Sequence, residues 1–239
     1  MALDQKTIDA LRGIATATLT TVLHKKGLRN VWMRGPKPLR PGQERLVGPA
    51  FTLRFVPARE DLATPESWGA PVSTRAAIEA MPPGCIAVAG TLGVIDAGIF
   101  GDILTERMKI RGVGGLVSDG VIRDKVGILN TGLPVWCSGA ASPASIASLT
   151  FVAWQEPIGC GGVAVFPNDI IVCDEDGAVV VPQALVGEVV EAAVEQERFE
   201  AWIVGELRSG VALPGLYPSN AETLARYKAS HSKVTKAGD

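Results

Sequence analysis

The stretch Gly90–Asp124, GTLGVIDAGIFGDILTERMKIRGVGGLVSDGVIRD, decides the fold. It opens on a glycine-rich loop, Gly90 to Gly101, enters a helix at about Asp102 to Arg111, and passes into the strand Gly115 to Ser118. The strand feeding it, Cys85 to Ala89, is a short apolar run of the kind buried on both faces of a sheet, and another strand lies near Pro134 to Cys137. Strands that alternate with helices predict a largely parallel sheet in an α/β fold.

Upstream, Ile8, Leu11, Ala15, Leu19 and Val22 share one helical face, which predicts an N-terminal amphipathic helix over residues 7 to 26 with Gly27 as its C-cap. Pro36, Pro38 and Pro41 predict an irregular loop over Asn30 to Gly42. Alternation of Phe51, Leu53 and Phe55 with Thr52, Arg54 and Val56 predicts a strand over Val47 to Val56. A helix over about Val72 to Met81 stops at Pro82-Pro83-Gly84. Downstream, Val163 to Phe166, Ile170 to Cys173 and Ala178 to Val181 are short β runs, the last two joined by the turn Asp174-Glu175-Asp176-Gly177. Residues 183 to 207 form a long charged amphipathic helix, and a tail with Leu213, Pro214, Leu216, Tyr217 and Pro218 follows. The organisation is one domain over 1–239, with loops over 28–45 and 60–71 and a C-terminal tail over 208–239.

The 23 Lys and Arg residues nearly balance 25 Asp and Glu, without a basic stripe, so nucleic acid is not expected as a partner. No run of residues reaches the length of a membrane span and no apolar leader follows Met1 to Thr7, which makes the expected location cytoplasmic. Cys85, Cys137, Cys160 and Cys173 are far apart, form no CxxC pair and are read as reduced core thiols.

Ligands of open α/β sheets gather at the carboxyl ends of the strands, and there the chain places Asp102, Asp119-Gly120 and Arg123-Asp124. Asp102 begins a helix, where an aspartate is an ordinary cap, and the amides of Gly101 to Leu104 are free to receive a carboxylate. Taken alone, Arg123-Asp124 reads equally well as a solvated loop pair. Lys125 is set in a charged loop unsuited to a Schiff base. His24 and His231 have no zinc or triad spacing, and Gly90, Gly93, Gly98 and Gly101 do not match the dinucleotide fingerprint. Trp68 reads as a plug on the core or an interface and is left outside the site.

Twenty residues, 103 to 122, separate Asp102 from Arg123-Asp124, and this Asp-x20-Arg-Asp pattern resembles the signature of the RraA-like family, which includes 4-hydroxy-4-methyl-2-oxoglutarate and 4-carboxy-4-hydroxy-2-oxoadipate aldolases. The resemblance extends to IIVCDEDGAVVVP, which is similar to the family's late hairpin. It implies an αββα sandwich of the swivelling β/α/β type, with a mixed sheet and helical N- and C-termini.

It also implies a class II pyruvate aldolase: a divalent-metal-dependent lyase that cleaves a 4-hydroxy-2-oxo (di)acid to pyruvate and a second carbonyl compound, with oxaloacetate decarboxylation as a side activity. By the resemblance, Asp124 binds Mg²⁺ or Mn²⁺, Arg123 pairs with the substrate, Gly101, Asp102, Ile103 and Leu104 contact it, and Asp102 holds a metal-bound water. A hard cation with carboxylate and water ligands agrees with those residue types. Assembly is expected as a homotrimer or homohexamer, with an acidic residue lent by a neighbouring subunit's C-terminal helix. Glu195, Glu197 and Glu200 compete for that role, Glu197 being the one assigned to catalysis. The alternatives are a noncatalytic regulator that binds a ribonuclease or other protein, as one branch of the family does, and a hydratase or other lyase of sugar-derived keto acids.

Overall fold

The computed structural model describes residues 4–232 and forms two compact units, Met1–Val190 and Glu191–Asp239. The first unit begins with α1 (Gln5–Arg12) and α2 (Thr16–Lys25), continues through β1 (Trp32–Met33), β2 (Lys37–Pro38) and β3 (Leu46–Pro57), and reaches α3 (Thr74–Ala80). Then come β4 (Ile86–Gly90), α4 (Asp102–Ile110), β5 (Gly115–Ser118), α5 (Lys125–Thr131), β6 (Val135–Cys137) and β7 (Leu149–Trp154). The hairpin β8 (Ile158–Cys160) and β9 (Val163–Val165) precedes β10 (Ile170–Asp174) and β11 (Gly177–Val181), after which α6 (Val186–Arg208) starts.

The larger sheet is ordered β1-β11-β10-β3-β4-β5-β6-β2, with β7 also paired to β3. Strands β3, β4, β5 and β6 run parallel, and every other pairing is antiparallel, so the sheet is mixed. β3 joins the two halves: its residues 46–49 pair with β10, and 50–54 with β4. Along β4, Ala87 and Ala89 face a core shared with Ile78 of α3, Met108 of α4 and Ile128 of α5. Ile86 and Val88 point the other way, into a core with Ile158, Cys160, Ile171, Cys173 and Val180. Side chains alternate across a strand, so a strand apolar at every position must be covered on both faces, and β4 is buried throughout. Helices α1 and α2 cover β3, β10 and β11 from outside. The layers are therefore helix, sheet, sheet, helix.

Three expectations need correction. The single helix over 7–26 is two helices, because the Asp174 carboxylate from β10 accepts the Thr16 amide at 2.8 Å and its hydroxyl at 2.7 Å, capping α2 where α1 has already ended at Gly13. The loop Asn30–Gly42 contains two short edge strands, and Pro38 is tolerated in β2 because an edge strand leaves one side of its backbone unpaired. The polar terminus includes a helix, α7 (Ala221–Ser232). In addition, α5, β7 and β8 were not foreseen. The final tail, 233–239, and the side chain of His231 lie outside the described residues.

The second unit holds the rest of α6 and α7. Phe199, Trp202 and Tyr227 pack as an aromatic cluster with centroids 4.8 to 6.2 Å apart, and the Tyr227 hydroxyl donates to Glu195 at 2.9 Å. No helix among the described residues is long and apolar enough to cross a membrane.

Candidate functional site

Beyond the carboxyl ends of β4 and β5, the chain makes a second, looser layer of extended backbone. Ile99 donates to Val121 O at 3.0 Å and Arg123 to Phe100 O at 2.9 Å, so residues 98–100 run beside 121–123. This pairing delivers Gly101 and Asp102, at the start of α4, next to Arg123 and Asp124, at the start of α5. A buried aspartate holds the platform together: Asp119 Oδ1 accepts the Thr91 amide and hydroxyl, both at 2.7 Å, and Oδ2 accepts the Gly161 amide at 3.0 Å. That one carboxylate ties the segments at Thr91 and Gly161 to its own.

Asp124 occupies the left-handed region, at φ 53° and ψ 43°, immediately before α5. Aspartate is among the few side chains that enter this region with modest strain, and the turn aims its carboxylate back toward α4. Arg123 Nε donates to Asp124 Oδ2 at 3.1 Å, with the two side chains 39% and 44% exposed. A pair so open to water is worth at most about 1 kcal/mol, so it orients the two groups more than it stabilises the fold.

The two helix starts interlock through glycines. A Cβ at Gly101 would collide with Asp124 Oδ2, and one at Gly127, in the first turn of α5, would lie 2.6 Å from both Cβ and Oδ2 of Asp102. Each aspartate thus lies against a glycine of the opposing helix start. Asp102 Oδ1 accepts the Ile103 amide at 2.7 Å. That takes one of the first-turn amides that a helix leaves without an internal acceptor, so the expected cradle of amides over Gly101–Leu104 has one donor fewer for a ligand.

Gly101, Asp102, Ile103, Leu104, Arg123 and Asp124 all line one cleft of about 440 Å³. Trp68, Thr74 and Arg75 complete part of its wall. Trp68 had been assigned to packing, and Arg75 carried no sequence signal, since a single arginine in a short helix resembles any solvated one. Burial lowers the Arg75 guanidinium from the ordinary arginine range, but it stays cationic near neutral pH. Glu195, Glu197 and Glu200 lie on α6 in the second compact unit. Glu195 accepts from Tyr227 and Glu200 accepts from Gln196 at 2.7 Å.

The donor set suits a hard divalent ion. Among the described residues no three His, Cys, Asp or Glu side chains cluster as a closed cage, whereas Mg²⁺ needs only one or two carboxylates and keeps several waters. Asp124 and Asp102 are the carboxylates on this cleft that could hold such an ion, and the absence of a side chain at Gly101 leaves the space that Asp124 occupies.

Comparison with known proteins agrees with this architecture. The profile of a family described as RraA-like, Aldolase/RraA, matches residues 16–180. A protein of Halalkalibacterium halodurans named "Putative 4-hydroxy-4-methyl-2-oxoglutarate aldolase" is 31% identical over 194 residues, covering 80% of this chain and 83% of its own. Protein DlpA of Legionella pneumophila is 30% identical over 177 residues, which is 74% of this chain, but the match spans 28% of that longer protein. The crystal structure of Streptomyces coelicolor RraAS2, described as an unusual member of the RNase ES inhibitor RraA protein family, superposes with a TM-score of 0.75 at 35% identity, covering 84% of this chain and 97% of that one.

Proposed function

This chain belongs to the RraA-like family, and we propose that it is a divalent-metal-dependent lyase that cleaves a 4-hydroxy-2-oxo acid to pyruvate and a second carbonyl compound. The observation that carries the reading is the meeting of Asp102, Arg123 and Asp124 on one cleft from two separate helix starts. A regulator needs no such convergence of carboxylates and guanidinium.

In this reading Asp124 would hold Mg²⁺ or Mn²⁺, and Asp102, on the same cleft, would hold a water beside it. The bound cation would supply the positive charge that draws electrons toward the 2-oxo oxygen as the C3–C4 bond breaks. Arg123 binds the same end of the substrate, and its attraction strengthens as negative charge grows on that oxygen, which favours the transition state over the ground state. A water held by Asp102 accepts the proton of the C4 hydroxyl, the C4 carbon becomes the second carbonyl, and C3 is reprotonated to give pyruvate. Glu197, supplied by a neighbouring copy in a homotrimer or homohexamer, serves the same proton transfers. Oxaloacetate decarboxylation follows from the same electron flow, with carbon dioxide as the leaving fragment.

The test is pyruvate release from a 4-hydroxy-2-oxo diacid and from oxaloacetate, with Mg²⁺ or Mn²⁺ and after chelation. Metal-dependent release is expected. Release equal in the chelated protein, or no release from either substrate with metal, overturns the reading.

A further inference from the structure

Away from the cleft, the first unit holds another cavity, of about 390 Å³, between the start of α2, the chain that follows α2, and the turn joining β10 to β11. It shares no lining residue with the cleft. Trp32 of β1 is the largest apolar side chain on its wall and is 36% exposed. The ring is nonetheless anchored. Its Nε1 donates to Asp176 O at 3.2 Å, and Lys37 Nζ donates to the same carbonyl at 2.9 Å while lying 5.6 Å from the ring centroid. Gly177 closes in on the ring, since a Cβ there would stand 2.9 Å from Trp32 Nε1. An indole fixed beforehand and left open offers a ligand a flat surface with little ordering left to do.

Two charged groups line the same cavity, Arg29 and Asp176. Their neighbours show how charges are satisfied on this side of the molecule. In the turn Asp174–Gly177, the Asp174 carboxylate accepts the amide and hydroxyl of Thr16, and Glu175 accepts the Gly42 amide at 2.6 Å. Lys26, at the end of α2, pairs with Glu188. The Arg29 guanidinium and the Asp176 carboxylate have no side-chain partner among the described residues, and they do not pair with each other although they line one cavity. The Thr20 hydroxyl, also on the wall, donates to Ala17 O at 2.8 Å, which leaves its oxygen as an acceptor. The cavity thus presents one cationic donor, one anionic acceptor, a hydroxyl acceptor and an anchored aromatic plane, in a volume usual for small-molecule sites.

We propose that this cavity binds a free α-amino acid with an aromatic side chain: Arg29 receives the carboxylate, Asp176 and Thr20 the ammonium group, and Trp32 the ring. A simple anion would pair with Arg29 and be repelled by Asp176, and a simple cation would meet the reverse. A neutral aromatic molecule would engage neither. A zwitterion satisfies both, its opposite charges attached to one carbon, and an aromatic side chain gains a ring contact with the indole. Because Arg29 and Asp176 are exposed, each pairing is weakened by water, so the expected dissociation constant is on the order of 1 mM.

The test is an NMR titration that follows the indole N–H signal of Trp32, assigned by its disappearance in Trp32→Phe. The probes are phenylalanine, phenylalaninamide, which lacks the carboxylate charge, and phenylpropanoate, which lacks the ammonium group. A pH of about 6 keeps the ammonium group of the amide charged. Phenylalanine is expected to bind on the order of fivefold more tightly than either analogue, the upper end for one exposed ion pair. Arg29→Gln should abolish the advantage over the amide and keep that over phenylpropanoate, and Asp176→Asn should do the opposite. Both substitutions are at exposed positions, so thermal midpoints should equal the wild type's. No movement of the Trp32 signal with tens of millimolar phenylalanine, equal binding of the three probes, or an advantage that survives both substitutions overturns the proposal. Tightest binding of phenylpropanoate would mark a plain anion site and overturns it as well.

Discussion

The Asp124 carboxylate lies directly against the α-carbon of Gly101, so close that any side chain at position 101 would overlap Oδ2. The colliding atom is the far end of a flexible side chain, and Gly101 has φ −113° and ψ −173°, which an alanine adopts without strain. Gly101→Ala should therefore displace the carboxylate and leave the backbone in place. Pyruvate release is expected to fall on the order of 100-fold, with the thermal midpoint lowered by only a few degrees; an active variant would show that Asp124 has no fixed role.

Gly127→Ala should behave differently. Helix propensity favours alanine by about 1 kcal/mol, but the new Cβ would stand 2.6 Å from the Cβ of Asp102, which cannot move without the start of α4. Overpacking of this kind costs about 1–3 kcal/mol, so the net effect is a loss of stability up to about 2 kcal/mol, measurable by urea denaturation, together with reduced activity.

Asp124→Asn keeps a residue suited to the left-handed conformation while removing the charge. The protein should melt at an unchanged temperature, yet lose Mg²⁺ binding in calorimetry and at least about 100-fold in pyruvate release. Treatment of the wild-type protein with a chelator should reproduce the loss, and added Mg²⁺ or Mn²⁺ should restore it only in the wild type.

Asp119→Ala would strip the acceptor from the Thr91 and Gly161 amides and from the Thr91 hydroxyl, all in buried surroundings. Orphaned buried donors cost about 1–3 kcal/mol each, so this variant should be among the least stable, with a midpoint shift larger than that of any substitution in the open cleft. A denaturation midpoint equal to the wild type's would contradict the role given to this carboxylate.

The four cysteines are buried thiols. Burial pushes Cys85 up to about 11 and raises Cys137, Cys160 and Cys173 as well. Because the thiolate is the reactive form, a thiol reagent at pH 8 should modify the native protein at the pace of unfolding and label all four sites quickly in denaturant. Fast native labelling would contradict this. Raising the pH from 8 toward 11 should increase the Cys85 thiolate in the unfolded chain first, so the folded state loses stability relative to the unfolded one across that interval.

Local signals carried well where the chemistry was local. The strand Gly115–Ser118 agrees with its sequence reading at both ends, and the turn Asp174–Gly177 joins the antiparallel pair β10 and β11 as its residues imply. The break between α1 and α2 was invisible because its cause, the Asp174 carboxylate, is 158 residues away from Thr16. β7 was missed because its outer positions are only partly buried and its alternation is weak. Arg75 was missed because lining a cleft is a property of a residue's surroundings.

What the sequence determined by itself was the alternation of strands and helices, the family resemblance, and the spacing of Asp102 from Arg123-Asp124, since periodicity and short motifs are written in neighbouring residues. Only the tertiary structure decided that these groups share a cleft with Arg75 and Trp68, and that each aspartate fits against a glycine of the opposing helix start. Such fits depend on distances between segments far apart in the chain, and those distances exist only once the two cores have packed β4 from both sides.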